Sequence, residues 1–153
     1  MEKDVVISIR GMQWYENRES DSIELVTRGV MLRDGVVCTL SYQESELTGM
    51  EGTLTTIQVE GEQVSMLRVG EYNTQMGFQT GRRHLSVYNT PYGAMEVGVN
   101  TRHLLAELKE DSGIIEVDYD IEVDHALAGR NAVQIEIAPV EGASLKRQER
   151  DSV

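Results

Sequence analysis

RRHLSVYNTPYGAMEVGVNTRHLLAELKEDSGIIEVDYDI, residues 82–121, decides the fold. Two runs of strand character are joined at Thr90-Pro91-Tyr92-Gly93, where proline presets one backbone angle of a turn and glycine relaxes another. In the third run Ile115, Val117, Tyr119, Ile121 and Val123 alternate with Glu116, Asp118, Asp120, Glu122 and Asp124. A strict period of two means one apolar face, and slipping by one residue would turn that whole face into water, so the register is well specified. The three runs predict an antiparallel meander.

The same reading extends in both directions. Val5, Ile7 and Ile9 start a first strand. Gln13 to Ser22, polar apart from Trp14 and Tyr15, reads as a loop. Ile23 to Leu32 is a second strand, with Gly29 as a bulge or a point of close approach. Asp34-Gly35 is a hairpin signal leading into Val36–Tyr42. Glu44 to Gly52 is a polar connection in which Leu47 and Met50 fold back over one barrel end. Thr53–Val59 and Val64–Val69 flank the turn Glu60-Gly61-Glu62, and Gly70-Glu71 leads into a run whose inward face is Tyr72, Thr74, Met76, Phe78 and Thr80.

Arg102 to Lys109 is ambiguous, because Leu104, Leu105 and Leu108 have helical spacing. The strand reading is preferred, since the flanking runs then pair in register. Ala128-Gly129 reads as a loop, and Val133, Ile135 and Ile137 form the last strand before Pro139. About eight to ten short strands linked by short turns, with no βαβ pattern, predict an all-β chain. The expected architecture is a single antiparallel β-barrel over residues 1–140, followed by a polar tail at 141–153 that is expected to be disordered.

Composition excludes some functions. The 153 residues suit one domain, and the 40% hydrophobic content suffices for a core. Acidic residues number 26 against 14 basic ones, a net charge of −12. Such a surface repels phosphate backbones and anionic lipid, so neither nucleic acid nor a membrane is an expected partner. MEKDVVISIRG does not read as a secretory leader, and no apolar run approaches the roughly 20 residues of a spanning helix. A cytoplasmic location is the expectation. Cys38, the single cysteine, reads as a small buried hydrophobe within a strand.

The chain resembles the YwiB-like family of small bacterial proteins, the domain of unknown function numbered 1934. The resemblance is carried by LSYQESELTGMEGTLTTIQVEGEQV, by MLRVGEYNTQMGFQTGRRHLSVYNTPYGAMEVGVNT and by GIIEVDYDIEVD, and it extends from about Val5 to Ile137. Arg68 to Gly93 is its most specific part. It implies a calycin-like barrel, similar in shape to the lipocalins, and no particular activity.

Catalytic and metal motifs find little support. Gly70, Gly77 and Gly81 lack the spacing of a phosphate loop. His84, His103 and Glu96 are the candidate metal ligands across the meander, but surface or half-buried histidines are the ordinary outcome. Ser86 beside His84 has no nucleophile elbow. No catalytic residue, metal or cofactor is therefore assigned.

Arg68 shares a strand face with Val64 and Met66. If that face points inward, its guanidinium needs a carboxylate, a tyrosine hydroxyl or a bound anion, with Glu96 and Glu107 as candidate partners. Otherwise it lies at a rim with its stem on apolar surface. His84, Ser86 and Tyr88 lie opposite Leu85 and Val87, and parity alone leaves open which set faces in. Tyr88, Tyr92 and Tyr119 are candidates to line one barrel end.

The candidate ligand-binding residues are Arg68, Phe78, His84, Tyr88 and Tyr119, with walls from Val64, Met66, Met76, Val97 and Val117. The resulting expectation is non-catalytic binding of a small, anionic molecule in the barrel or at its mouth, by a monomer or homodimer. Two alternatives remain. One is an interaction module with a filled barrel, for which Trp14 and Tyr15 are patch candidates. The other is an enzyme.

Overall fold

The computed structural model describes residues 2–14, 21–45, 51–70, 73–90 and 93–140, with backbone only at 87–90. The turn at Pro91-Tyr92, the expectations for Tyr15, Leu47, Met50 and Tyr72, the side chain of Tyr88 and the tail lie outside the described residues.

The strands are β1 (Glu2–Trp14), β2 (Asp21–Asp34), β3 (Val37–Gln43), β4 (Thr53–Glu60), β5 (Gln63–Gly70), β6 (Thr74–Gln79), β7 (Arg83–Thr90), β8 (Gly93–Leu108), β9 (Gly113–Val123) and β10 (Ala126–Pro139). They form one ten-stranded sheet in the order β6-β5-β4-β3-β2-β1-β10-β9-β8-β7. Each ladder is antiparallel, and all but one join sequence neighbours. The exception is β1 with β10, where Ile7 faces Ile137 and Ile9 faces Ile135. The sheet curls into a nearly closed barrel, as the sequence pattern predicts. No helix among the described residues is long and apolar enough to cross a membrane.

The alternation in β9 maps onto the two faces of the wall. Ile115, Val117 and Tyr119 are buried in the core. Of the acidic partners, Glu116, Asp118, Asp120 and Glu122 lie on the outer face half-covered rather than fully solvated, and basic side chains reach two of them, while Asp124 is exposed. Arg83 pairs with Glu122 at 2.6 Å, and Arg102 and Arg130 both approach Asp120. Such partly exposed pairs each contribute at most about 1 kcal/mol.

Arg102–Lys109 is strand up to Leu108, and its helical look comes from Leu105, which pairs with Glu116 on the outer face beside the inward Leu104. A β-bulge between Thr101 and His103 inserts one residue, so the inward set runs Val97, Val99, Thr101 and then Leu104, Ala106, Leu108. The step of three from Thr101 to Leu104 breaks the alternation.

Three expectations need correction. Gln13, Trp14, Asp21 and Ser22 are not loop but ladder residues of β1 and β2; their polarity reflects a place at the barrel mouth. Ala128-Gly129 lies within β10 at a second bulge. Thr80 is in the turn after β6.

The two ends of the sheet order meet without a ladder. Ser86 Oγ donates to the Gln75 carbonyl at 3.0 Å, and the Gln79 N–H donates to Thr101 Oγ1 at 3.2 Å. Gly81 N–H and Thr101 N–H bond across the same corner to the carbonyls of Thr101 and Arg82. His84 lies against Gly77, where an added Cβ would come within 3.0 Å of its Nδ1. Gly77 pairs with Ser65 and so points away from the Val64–Met66 face. Thus β7 laps over the outer side of β6.

Gly29 is a point of close approach, as expected, and carries no bulge. The β2–β3 ladder runs only from Val30–Ser41 to Asp34–Val37. At its upper end a methyl on Gly29 would sit 2.5 Å from the Ser41 carbonyl oxygen and 2.6 Å from Ile7 Cδ1. Backbone cannot yield as a side chain does, so Gly29→Ala is expected to destabilise by about 1–3 kcal/mol. Gly11→Ala, whose nearest neighbour is Ile23 Cγ2 at 3.2 Å, should cost less in the same urea titration. Equal costs would contradict the close-approach account. Cys38 is buried, and burial raises its thiol pKa against a smaller opposing effect of Arg33. Ellman's reagent should therefore leave the native thiol unlabelled and react fully after unfolding.

Candidate functional site

Strand alternation and register together place the inward side chains of β3, β4, β5 and β6 in rows. Cys38, Val59, Val64 and Phe78 form the deepest row, and Leu40, Ile57, Met66 and Met76 the next. The third row is Tyr42, Thr55, Arg68 and Thr74. Above it, the Glu44 N–H bonds the Thr53 carbonyl at 2.9 Å. The wall therefore changes from apolar to polar towards the end where β1 meets β2 and β3 meets β4.

That gradient borders a cavity of about 450 Å³. Ile57, Val64, Met66, Phe78, Ile115 and Val117 are among its apolar walls. Its polar groups are Gln13, Asp21, Ser22, Tyr42, Glu44, Arg68, Tyr119 and Asn131. Asn131 is buried on β10, paired with Gln13 of β1 and Tyr119 of β9. Tyr119 and Phe78 meet as a tilted ring pair, with centroids 4.8 Å apart.

The third row holds the site's unusual electrostatics. Arg68 Nε is buried and has no hydrogen-bond partner, and the same is true of Thr55 Oγ1 beside it. None of the ion pairs among the described residues involves Arg68. An orphaned buried donor of this kind costs about 1–3 kcal/mol.

Tyr42 is buried, and its hydroxyl donates to the Glu44 carboxylate. Burial, then the Glu44 charge, push its pKa well above the usual phenol range, and the Arg68 charge opposes them. Thr55 lies close enough to lower it slightly, but its hydroxyl is not in hydrogen-bonding geometry. The Tyr42 phenol therefore stands within the field of both Glu44 and Arg68.

Of the residues proposed from sequence, Arg68, Phe78 and Tyr119 come together in the cavity, with Val64, Met66, Met76 and Val117. His84 and Ser86 pair with the buried Val99 and Val97, while Leu85 is turned outward and exposed. Because β7 laps over β6, His84 lines a separate recess of about 110 Å³ beside Gly77 and Gln63 rather than the main cavity. Tyr88 is opposite Met95 in the ladder, and its side chain lies outside the described residues.

Val97 is buried but does not line the cavity. Neither acid suggested for Arg68 is its partner: Glu96 faces His125 at 3.6 Å, and Glu107 is exposed opposite Ile114. His103 approaches Glu116 on the outer wall at 3.9 Å, whereas His84 lies on the inner side of β7 opposite Val99. Among the described residues no three histidine, cysteine or acidic side chains converge as a metal site would require.

Tyr42, Glu44, Thr55 and Asn131 were missed. The parity of Tyr42 with Leu40 was a usable signal. The others needed the cross-strand register.

The Tyr42 environment has a measurable sign. The folded state holds this proton more tightly than the unfolded chain, so its contribution is intact below roughly pH 10 and is lost as pH rises beyond it. An ultraviolet absorbance titration should show a late-ionising phase, and Tyr42→Phe should reduce it by one phenol and flatten the alkaline loss of stability. Loss of an ordinary, early-titrating phenol instead would contradict the assignment.

Residues 7–135 match the family described as "Domain of unknown function (DUF1934)". The uncharacterized β-barrel protein YwiB of Bacillus subtilis (strain 168) is 31% identical over 84 residues, which is 55% of this chain and 58% of that protein. The chain thus aligns with a little over half the length of this curated relative. The crystal structure of the ywiB protein from Bacillus subtilis superposes with a TM-score of 0.74 at 21% identity, covering 88% of this chain and 92% of that one. The likeness at this identity concerns the fold. On the family match over most of its length, the chain is a member of the DUF1934 family.

Proposed function

We propose that the barrel is a non-catalytic binding protein that takes a small amphipathic molecule, its apolar body in the well and an anionic group at Arg68. The observation that carries this reading is the buried, unpartnered Nε of Arg68 at the edge of a 450 Å³ apolar cavity. A cavity of this size falls within the range of about 300–1,000 Å³ typical of small-molecule sites. A few polar groups at the rim of apolar walls would orient a ligand, and an anion would satisfy the donor that the protein leaves unpaired. None of the three histidines lines the well, which favours binding over acid–base chemistry.

The test is native mass spectrometry of the purified protein, followed by thermal shift with straight-chain carboxylates of graded length. A carboxylate at 100 times its Kd stabilises by about 2.7 kcal/mol, which should raise Tm by several degrees. Arg68→Leu should abolish that rise while leaving the unliganded protein about as stable as the parent, because it removes a buried donor that has no partner. No shift with any chain length, for the plain carboxylate or its 2-amino counterpart, together with no co-purified mass, would overturn the proposal. So would a shift that Arg68→Leu retains.

A further inference from the structure

We infer that the ligand's head group is zwitterionic: its anionic part pairs with Arg68 and an ammonium with Glu44, so that the well selects an apolar α-amino acid or a similarly headed amphiphile over a simple carboxylate. The inference rests on the binding reading above and names its ligand class.

Arg68 is the only basic side chain among the described residues that line the well, whereas Asp21 and Glu44 both line it. The local balance is therefore negative, inside a protein of net charge −12. A bare anion would have to approach through that field, and its carboxylate would settle close to a second, buried one. Glu44 is buried, at 7% exposure. Like charges brought together in a desolvated site oppose both occupancy and association rate.

Glu44 and Arg68 also bracket one place. The Tyr42 hydroxyl donates to Glu44 and lies within the field of Arg68, and Tyr42, Thr55 and Arg68 stand side by side in one cross-strand row. A carboxylate offers about four acceptor sites, so the Tyr42 bond leaves capacity for an ammonium. A head group carrying both signs would meet each charge with its opposite. Its tail would then extend down the rows of Met66, Met76, Val64 and Phe78.

The experiment is calorimetric titration of the parent, Glu44→Gln and Arg68→Leu with three probes that share one chain: 2-aminooctanoate, octanoate and octylamine. The parent should bind 2-aminooctanoate at least about ten-fold more tightly than either of the others. Glu44→Gln should weaken 2-aminooctanoate by about that factor and strengthen octanoate, an opposite pair of changes that a damaged fold would not produce. Arg68→Leu should weaken both acids and strengthen octylamine, whose ammonium the guanidinium otherwise repels.

If octanoate binds the parent as well as 2-aminooctanoate does, or Glu44→Gln weakens both acids alike, the zwitterion inference is overturned and the anion-binding reading stands. If octylamine binds best, or none of the probes binds, both are overturned.

Discussion

The ladder between β1 and β10 holds the barrel together. Every other pairing joins strands that follow one another in the chain, and such hairpins form locally. Left to themselves they would give two separate meanders, one from β1 to β6 and one from β7 to β10. Pairing residues 5–14 with 130–139 welds these into one sheet whose inner face is long enough to curl. The contact spans most of the chain, so its loop-closure entropy must be offset by burial, and Ile7, Ile135 and Ile137 are all deeply buried there. The same ladder sets Gln13 beside Asn131, which the β10–β9 ladder in turn sets beside Tyr119. One side of the well's polar rim thus follows from the contact that builds the barrel.

Much of the architecture was legible because a half-buried strand announces itself by parity. Ile115 to Val123 could be read directly, and so could the Asp34-Gly35 hairpin and the close approach at Gly29. Parity fails where a residue is inserted. Arg102 carries the bulge in β8 and breaks the alternation between Thr101 and Leu104, while Ala128 breaks it in β10, which looked like loop. It also fails where an inward face is polar. Gln13 and Asp21 read as loop because an inward face was assumed to be apolar, yet they pair with each other and continue their ladders into the mouth of a cavity.

The site was legible in part for the same reason. Arg68 could be assigned to the face of Val64 and Met66 by counting, and Phe78 and Tyr119 likewise. Tyr42, Thr55 and Arg68 come from three strands, and nothing within any one of them reveals that they share a row. His84 was misplaced for a different reason. It does lie on the inner side of its own strand, but that strand overlaps its neighbour, so the inner side of β7 rests on the outer side of β6. A one-dimensional pattern specifies faces and carries no information on whether two edges abut or overlap.

The overlap has a further consequence for the protein's behaviour in a crowded solution. An incompletely hydrogen-bonded barrel has two strand edges, and exposed edges are templates for intermolecular pairing. Here the edges shield each other: Ser86 occupies the Gln75 carbonyl, Thr101 takes the Gln79 N–H, and the His84 ring covers the backbone at Gly77. The absence of a side chain at Gly77 is what allows the ring to lie so close. A glycine on the outer side of the well's wall thus bears on colloidal stability, since a side chain there would press on the His84 ring that covers this edge.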